Sequence, residues 1–162
     1  MEITIREYRE TDKNFLLEAT DMLHEYVVAL DPIKRLRKMP GYAENTVNDL
    51  LTTVAKQEGK IYVAEDGSKA IGFVAGFTMK QSKENLLSVV PSKLGVISDL
   101  YIDNDYRGQH IGTKLMQKME EHLKQTGCDA LWIDIVAFNT HAHHFYNKLG
   151  YADREIGLIK KI

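Results

Sequence analysis

The stretch of sequence that decides the fold reads Tyr106-Arg107-Gly108-Gln109-His110-Ile111-Gly112-Thr113. It follows a run with the apolar spacing of a strand and precedes a run with the spacing of a helix. A turn of small residues that opens a helix presents several main-chain N–H groups at the positive end of the helix dipole. The stretch therefore predicts an anion site at a strand-to-helix turn, and a phosphate suits such a site best.

Two widespread phosphate-binding motifs do not fit this turn. A P-loop needs a lysine directly after its last glycine, but Gly112 is followed by Thr113 and only then by Lys114. A dinucleotide fingerprint needs G-x-G-x-x-G in an early βαβ unit, which this sequence lacks. Taken by itself, the turn admits a second interpretation, in which it connects a strand to a helix and binds no ligand.

Alternating and helical spacings of apolar residues divide most of the chain into short elements. Asp66-Gly67 joins two strand-like runs and is typical of a β-hairpin, while Asp31-Pro32 ends the first helix. Gly72 and Gly76 lie on one face of their strand, which indicates the close approach of a backbone or a ligand. The polar, proline-containing residues 81–93 predict a loop. The predicted strands cover 3–5, 60–65, 70–79, 94–102, 130–136 (buried) and 151–162, and the predicted helices cover 13–30, 44–57, 111–126 and 140–149.

The composition is typical of one soluble domain spanning residues 1–162. The formal net charge of -2 gives no general basic field, so the sequence does not favour nucleic acid as a partner. Cys128 is the only cysteine, which excludes an internal disulfide and favours a reducing compartment. No apolar run approaches the ~20 residues that span a membrane, and Met1-Glu2-Ile3 opens no signal peptide. We therefore expect a cytoplasmic protein that has no membrane partner.

A second motif lies downstream of the turn and bears on how the turn is interpreted. It reads Asn139-Thr140-His141-Ala142 and then Phe145-Tyr146-Asn147-Lys148-Leu149-Gly150-Tyr151. Together with the turn and with the strand-like Asp99-Leu100-Tyr101-Ile102 before it, this motif resembles the GCN5-related N-acetyltransferases. Members of that family carry R/Q-x-x-G-x-G/A after the fourth strand and N-x-x-A…F-Y-x-K-x-G-F/Y further on. The resemblance is sharp over residues 94–151 and looser over the N-terminal half.

The resemblance implies a fold and a reaction. The fold is α/β (α+β), a mixed and mostly antiparallel central sheet of about six to seven strands flanked by about four helices. The reaction moves the acetyl group of acetyl-CoA, as a co-substrate, directly to a primary amine without a metal. The acceptor is an amine of a small molecule or of a peptide or protein, and the sequence does not choose among polyamine, aminoglycoside, amino acid, N-terminal amine or lysine. Homodimers are common in the family.

The resemblance also assigns residues to acetyl-CoA. The pantetheine arm would lie like an added strand along Leu100, Tyr101 and Ile102, where a main-chain N–H would polarise the thioester carbonyl. Asn139 and Ala142 would contact the cofactor arm where the fifth strand ends. The diphosphate would be held by the turn, through Arg107, Gly108, Gln109, His110, Ile111, Gly112 and Thr113.

Tyr146 is the candidate general acid that the resemblance implies, because the leaving thiolate needs a proton. A phenol with a pKa near 10 is a reasonable acid toward a thiolate. Residues Ala142, Phe145, Tyr146 and Leu149 also form an i, i+3, i+4, i+7 stripe, which places Tyr146 on a buried helix face. The alternative interpretation is a core tyrosine that needs one hydrogen-bond partner.

Asp99 is the candidate base for the acceptor amine, since it shares a strand face with Tyr101 just before the expected pantetheine contacts. Its position resembles one where some polyamine-directed relatives carry an acidic residue. The alternatives are a solvent-facing carboxylate and one that binds the charge of the acceptor. Asp134 and Glu65 are weaker candidates for the base.

His110 departs from the family pattern, because it replaces the first motif glycine. Since Ile111 and Gly112 already begin the helix, we expect a near-helical backbone at His110, where a Cβ is tolerated. A positive φ would instead strain the loop by about 1–3 kcal/mol.

Two further clusters have more than one interpretation. His141, His143 and His144 do not predict a metal site, because adjacent helical residues diverge by about 100° and no fixed carboxylate or cysteine completes a ligand set. The basic residues between the first two helices would meet an acidic acceptor or the 3′-phosphate of the cofactor, or would form a charged solvated loop. These basic residues are Lys34, Arg35, Arg37 and Lys38.

Two rival functions remain open at this point. The first is a non-catalytic acyl-CoA-binding regulatory module on the same fold, which His110 favours and Tyr146 and Asn139 oppose. The second is a protein-interaction domain without a cofactor, in which the glycine turn is only a turn. Binding of acetyl-CoA and transfer of its acetyl group separate the three functions.

Overall fold

The computed structural model describes residues 3–162, which form one five-stranded sheet with helices on both faces. Met1 and Glu2, on which the expectation of no signal peptide partly rests, lie outside the described residues. The strands are β1 (Ile3–Glu7), β2 (Lys60–Asp66), β3 (Lys69–Met79), β4 (Leu94–Ile102) and β5 (Ala130–Trp132). The helices are α1 (Lys13–Leu30), α2 (Tyr42–Lys56), α3 (Ile111–Gln125) and α4 (Thr140–Lys148).

The strands lie in the sheet in chain order, so each strand pairs with its neighbours in sequence. The first three pairs are antiparallel, and the β4–β5 pair is parallel because α3 crosses between those strands. The predicted hairpin at Asp66-Gly67 is present, with Gly67 at φ 62°. This mixed, mostly antiparallel α+β fold with four α-helices confirms the predicted class, although the sheet has five strands instead of about six to seven.

One shortened strand and one missing strand are corrections to the sequence prediction. β5 covers only Ala130–Trp132 and is partly exposed, because β4 pairs with it only over Leu94–Val96 and then diverges. Residues 133–136 therefore have no strand beside them to pair with. Residues 151–162 adopt no regular structure, and their apolar side chains, such as Leu158, are exposed. Apolar composition alone does not make a strand where the backbone finds no partner.

A separate apolar core lies on each face of the sheet. α1 and α2 pack on one face around Phe73 and Tyr101, and α3 and α4 pack on the other around Val74 and Ile97. The predicted every-fourth-residue stripe of α3 is buried as a whole, at Ile111, Leu115, Met119 and Leu123. No helix within residues 3–162 has the length and apolarity that a membrane crossing requires.

Gly76 lies where α3 packs closely on the sheet. A Cβ on Gly76 would lie 2.7 Å from the Met119 sulfur and 2.9 Å from the Val96 carbonyl oxygen. A Cβ on Gly72 would lie 2.8 Å from the Tyr101 carbonyl oxygen. Of the two explanations for these glycines, close packing by the chain itself is therefore the one that the structure supports.

A β-bulge in β4 decides which way the site residues face. The pairing of β4 with β3 passes from Asp99 opposite Ala75 directly to Ile97 opposite Gly76, so Ser98 is the extra residue. Ile97 consequently packs on the α3 face, whereas Asp99 lies on the α1–α2 face with Tyr101. Two residues that a regular strand would place on one face are thus separated.

An ionic cluster ties β1, β2 and the start of α1 together. The Arg6 guanidinium lies 2.7 Å from Asp12 Oδ2 and 2.7 Å from Glu65 Oε2. Asp12 also accepts the Arg9 N–H at 2.7 Å, and only 7% of its side chain is exposed. These bonds hold the pKa of Asp12 below its usual value, with the Arg6 bond as the largest cause.

Candidate active site

The divergence of β4 from β5 leaves an open gap along the second half of β4. Asp103 donates its N–H to the Ile71 carbonyl at 2.8 Å, and the register pairs Ile102 with Gly72. Because hydrogen-bonding residues alternate along an antiparallel pair, the main-chain groups of Leu100 and Ile102 point away from β3 and into this gap. Tyr101 does not share that orientation: its main chain faces β3, and its ring is buried.

Arg107 and Gln109 fasten the turn to the end of β4 through their side chains. The Arg107 Nε donates to the Ile102 carbonyl at 3.0 Å, so this carbonyl already has a partner. The Gln109 amide donates to the Asp105 carbonyl at 3.4 Å. Among residues 3–162, the main-chain groups in the gap without a partner are therefore the N–H and C=O of Leu100 and the N–H of Ile102.

The turn opens α3 as the sequence predicts. Within residues 3–162, none of the six main-chain N–H groups from Gly108 to Thr113 donates a hydrogen bond to a protein atom, and the first helical bond is from the Lys114 N–H to the His110 carbonyl at 3.1 Å. Unpaired N–H groups at the start of a 15-residue helix are suited to an anion. Phe145 of α4 borders this region, 3.4 Å from where a Cβ on Gly112 would lie.

The backbone at His110 differs from the expectation. His110 adopts φ 61° and ψ 13°, in the left-handed region, immediately before the first residue of α3. Gly108, two residues earlier, is in the left-handed region as well, at φ 78°. Near-helical geometry at His110 was therefore the wrong prediction, and the Cβ of His110 strains the turn. Histidine is one of the residues that enter this region more often than most.

Tyr146 reaches the site from α4, on the α3 face of the sheet. Its ring packs against the core of that face and meets the rings of Phe145 and Tyr151 at centroid distances of 5.3 and 6.0 Å. Burial, with a second contribution from the negative charge of Asp99, raises the pKa of Tyr146 to about 12. Its hydroxyl has no hydrogen-bond partner among the described residues, unlike that of Tyr151, which donates to Glu120 at 2.8 Å. The predicted stripe of α4 is only partly buried, and Tyr146 packs with it against the core.

Asp99 reaches the same region from β4, on the opposite face. Its side chain keeps some solvent contact, yet enough protein surrounds it that desolvation raises its pKa, against a smaller opposing effect of the Ser98 hydroxyl. The negative charge of Asp99 is the smaller of the two causes that raise the pKa of Tyr146. Of the weaker candidates, Glu65 is bound to Arg6 at 2.7 Å, and Asp134 is exposed.

Asn139 caps α4 and leaves part of its amide free. Its side-chain oxygen accepts the Ala142 N–H at 3.3 Å, which fixes the start of the helix that carries Tyr146. The Asn139 amide nitrogen donates to no protein atom within the described chain. The N-x-x-A part of the motif is thus a capping interaction in this structure.

The histidines of α4 form no metal site. Among residues 3–162 there is no group of three or more His, Cys, Asp or Glu side chains placed to hold a metal ion. The His143 ring lies 2.6 Å from Asp153 Oδ1 in the segment after α4.

Two features of this region were missed by the sequence analysis. The bulge at Ser98 has no local signal, because it appears only when the register of two strands is known. The carboxylate of Asp31, considered only as part of a helix end, accepts three main-chain N–H groups of the following loop. An aspartate before a proline at a helix end does carry that signal, since aspartate favours such turns.

Comparison with known proteins places this geometry in a family. The profile of the acetyltransferase (GNAT) family matches residues 20–151. Thialysine N-epsilon-acetyltransferase of Sus scrofa is 25% identical over 155 residues, which are 93% of this chain and 85% of the relative. An uncharacterized N-acetyltransferase of Methanocaldococcus jannaschii is 31% identical over 104 residues, and that match spans 62% of this chain but only 42% of the relative.

The fold itself has close counterparts among solved structures. A Bacillus halodurans protein, crystallised as a tetramutant, superposes with a TM-score of 0.83 at 21% identity, over 98% of this chain and 99% of the other. At that identity the likeness concerns the fold alone. The family profile, in contrast, covers most of the chain, including β4, the turn, α3 and α4. The chain therefore belongs to the acetyltransferase (GNAT) family.

Proposed function

We propose that this protein transfers the acetyl group of acetyl-CoA to a primary amine by direct attack of the amine on the thioester carbonyl. The observation that supports the proposal is that Tyr146 packs on the α3 face of the sheet while the charge of Asp99, on the α1–α2 face of β4, helps to raise the pKa of Tyr146. A buried phenol that keeps its proton and a carboxylate with raised proton affinity are the acid and the base that this reaction needs.

The chain has groups suited to acetyl-CoA as a substrate. The unpaired N–H groups from Gly108 to Thr113 suit the diphosphate. The free main-chain groups of Leu100 and Ile102 suit an extended amide-containing arm, which would add to β4 like another strand. A main-chain N–H in the same gap would polarise the thioester carbonyl.

The reaction needs a base that takes a proton from the acceptor amine and an acid that gives a proton to the departing sulfur. The acceptor arrives as an ammonium ion and gives a proton to the Asp99 carboxylate, directly or through water. The neutral nitrogen then forms a bond to the carbonyl carbon as the carbon–sulfur bond breaks. Tyr146 gives its phenolic proton to the departing sulfur, the acetylated nitrogen loses its second proton to solvent, and the Tyr146 phenolate takes a proton back from solvent. Asp99 returns its proton to solvent. The products are an N-acetyl amine and the free thiol of coenzyme A.

The relatives support an amine acceptor, since the pig enzyme is named for the ε-amine of thialysine. The two rival functions make different predictions. A regulatory acyl-CoA-binding module on this fold would bind acetyl-CoA and transfer nothing, and a cofactor-free interaction domain would not bind it. Tyr146 and Asp99 favour the enzyme, because neither rival needs an acid and a base at the gap.

The test is a calorimetric titration with acetyl-CoA, followed by an assay of thiol release with a panel of primary amines. We expect one-to-one binding with a dissociation constant in the micromolar range or below, and amine-dependent thiol release. Binding without any thiol release would support the regulatory module instead. No binding would refute the use of the turn as a diphosphate site.

A further inference from the structure

Residues 156–162 have the composition of a strand but no strand to pair with. Four of these seven residues are large and apolar, and all four are exposed: Ile156, Leu158, Ile159 and Ile162. Isoleucine is a residue that strands favour. Within residues 3–162, no main-chain hydrogen bond joins residues 152–162 to the rest of the chain. The segment 156–162 therefore exposes both the apolar surface and the main-chain groups that strand pairing would remove from water.

The sheet has an unpaired edge at β5. β5 is the outermost strand on its side, and its one bonded neighbour among the described strands is β4. Every second residue of a strand turns its main-chain groups to the far side, so the outer side of β5 presents groups that no strand bonds. Residues 133–136 continue from β5 without regular structure. An edge of this kind accepts an added strand.

A cavity of about 650 Å³ lies beside this edge. Residues 129–131 form one of its walls, and residues 149–152, which follow α4, form another. The chain after α4 stays close to β5 without bonding to its main chain, since the Arg154 guanidinium lies 5.2 Å from the centre of the Trp132 ring. The protein thus keeps a space open next to an unpaired strand edge.

The segment 156–162 does not fold back into the cavity of its own chain. The residues before it are anchored, because the Tyr151 hydroxyl donates to Glu120 at 2.8 Å and Asp153 Oδ1 lies 2.6 Å from the His143 ring. To enter the cavity from there, the chain would have to reverse within residues 155–157. The common two-residue hairpin turns need a positive φ, and none of these three residues has one. The segment is therefore left to reach a second molecule, and seven extended residues span about 23 Å.

Length and charge match the segment 156–162 to the edge. Residues 130–136, from β5 onward, are seven residues as well. The segment carries two cations and no carboxylate, at Lys160 and Lys161. The cavity and residues 133–136 together carry three carboxylates and one cation: Glu120, Asp129, Asp134 and Lys124. Arg154, a further cation beside β5, is paired with Glu155 at 3.9 Å. An antiparallel arrangement brings the two lysines to the start of β5, where two of the three carboxylates lie.

We infer that two copies of this chain exchange residues 156–162, and that each segment pairs antiparallel with the outer edge of β5 in the other copy. A twofold axis satisfies both segments and both edges at once, so the assembly closes as a dimer. The pairing gives hydrogen-bond partners to the main chain of β5 and of the segment, and it covers exposed apolar side chains. The inference concerns assembly and does not depend on the proposed acetyl transfer.

The first test measures the mass in solution, by light scattering during size-exclusion chromatography at micromolar protein concentration. We expect twice the 18.5 kDa of one chain. Leu158→Lys together with Ile159→Lys places a charge on each face of the segment and should reduce the mass to 18.5 kDa. The matched control is Leu86→Lys with Leu87→Lys, two adjacent exposed residues of the β3–β4 connection, which should leave the dimer intact. A single-chain mass for the unchanged protein, or a dimer that survives the segment variant, would overturn the inference.

The second test locates the contact with a crosslink. Cys128 is the only cysteine and lines the cavity, and antiparallel pairing brings residue 162 to the start of β5, close to it. In Ile162→Cys, a short bis-maleimide should join two chains into a species of twice the mass on a denaturing gel, and Cys128→Ser in the same chain should abolish that species. A species that survives Cys128→Ser would place the contact between two segments, and a link within one chain would mean that the segment fills its own cavity. Either result, or no crosslink at all, would overturn the exchange.

Discussion

At the scale of single residues, the site depends on two side chains whose proton affinities are raised by their surroundings. Tyr146 is partly withdrawn from solvent, and burial together with the negative charge of Asp99 raises its pKa to about 12, so it keeps its proton well above neutral pH. Asp99 is desolvated too, so it holds a proton more tightly than an exposed aspartate does. Tyr146 is therefore suited to donate a proton and Asp99 to accept one, on opposite faces of β4.

Replacing Tyr146 by Phe tests the acid. Acetyl-CoA binding should be unchanged, because the ring and its packing remain, and turnover should fall at least tenfold because the leaving sulfur loses its proton donor. The measurements are calorimetry and steady-state thiol release. Tyr151→Phe is the matched control, since its hydroxyl bonds Glu120 and lies outside the proposed chemistry. Wild-type turnover in Tyr146→Phe would remove Tyr146 from the mechanism.

Replacing Asp99 by Asn tests the base. A raised carboxyl pKa means that the base becomes available as pH rises through that pKa, so kcat of the wild type should fall on the acid side. In Asp99→Asn this acid limb should disappear, and kcat at neutral pH should fall by about 10²-fold. The test is the pH profile of kcat, with Asp49→Asn, an exposed carboxylate of α2, as the control. An unmoved profile would assign the proton to bulk water.

His110 provides a prediction about strain. Because φ is 61°, His110→Gly should raise the free energy of unfolding by about 1 kcal/mol and change acetyl-CoA affinity less than tenfold, since the N–H stays in place. His110→Ala keeps the Cβ and should bring no such gain. Chemical denaturation and calorimetry measure the two effects. A tenfold gain in affinity for His110→Gly would mean that the strain acts on binding.

At the scale of elements, the predictions from sequence succeed where a pattern is local. The alternation of β4 and the spacing of α3 gave Leu94–Ile102 and a helix starting at Ile111, as observed, because each pattern reports directly on burial. The length of β5 and the structure of residues 151–162 depend instead on whether another strand lies alongside. The same holds for the bulge at Ser98, so these features could not be predicted from local composition.

The contact between α3 and β3 gives a prediction for an element. Gly76→Ala would place a Cβ 2.9 Å from the Val96 carbonyl, a backbone atom that cannot turn aside, so α3 or β4 must shift. We expect a loss of stability of about 1–3 kcal/mol in urea denaturation. Gly157→Ala, where a Cβ meets nothing within 4 Å, should change stability little. Equal stability of the two variants would contradict the close approach.

At the scale of the whole molecule, the Arg6–Asp12–Glu65 cluster joins the paired strands β1 and β2 to the start of α1. Arg6 belongs to β1, Glu65 to β2, and Asp12 lies just before α1. The Asp12–Arg6 pair is largely buried, so the removal of one charge leaves the other without compensation.

Asp12→Asn should therefore lower the free energy of unfolding by about 3 kcal/mol at neutral pH. The folded pKa of Asp12 is depressed, so its stabilisation is present above the unfolded pKa of about 3.9 and is lost as pH falls through the folded value. Urea denaturation of both proteins should show the difference shrinking below about pH 4. Glu10→Gln, an exposed carboxylate close by, should show no such pH-dependent difference. A constant difference across pH would contradict the assignment to the ion pair.

The bulge at Ser98 also bears on the fidelity of folding. If Ser98 joined a regular ladder, every later residue of β4 would turn over, sending the Asp99 carboxylate into the apolar layer under α3. An unpaired charge in such a layer is strongly unfavourable, so the mispaired sheet would be less stable than the native one. The Asp99 carboxylate, proposed as the base, would therefore also disfavour pairing of β4 with β3 in the register that lacks the bulge.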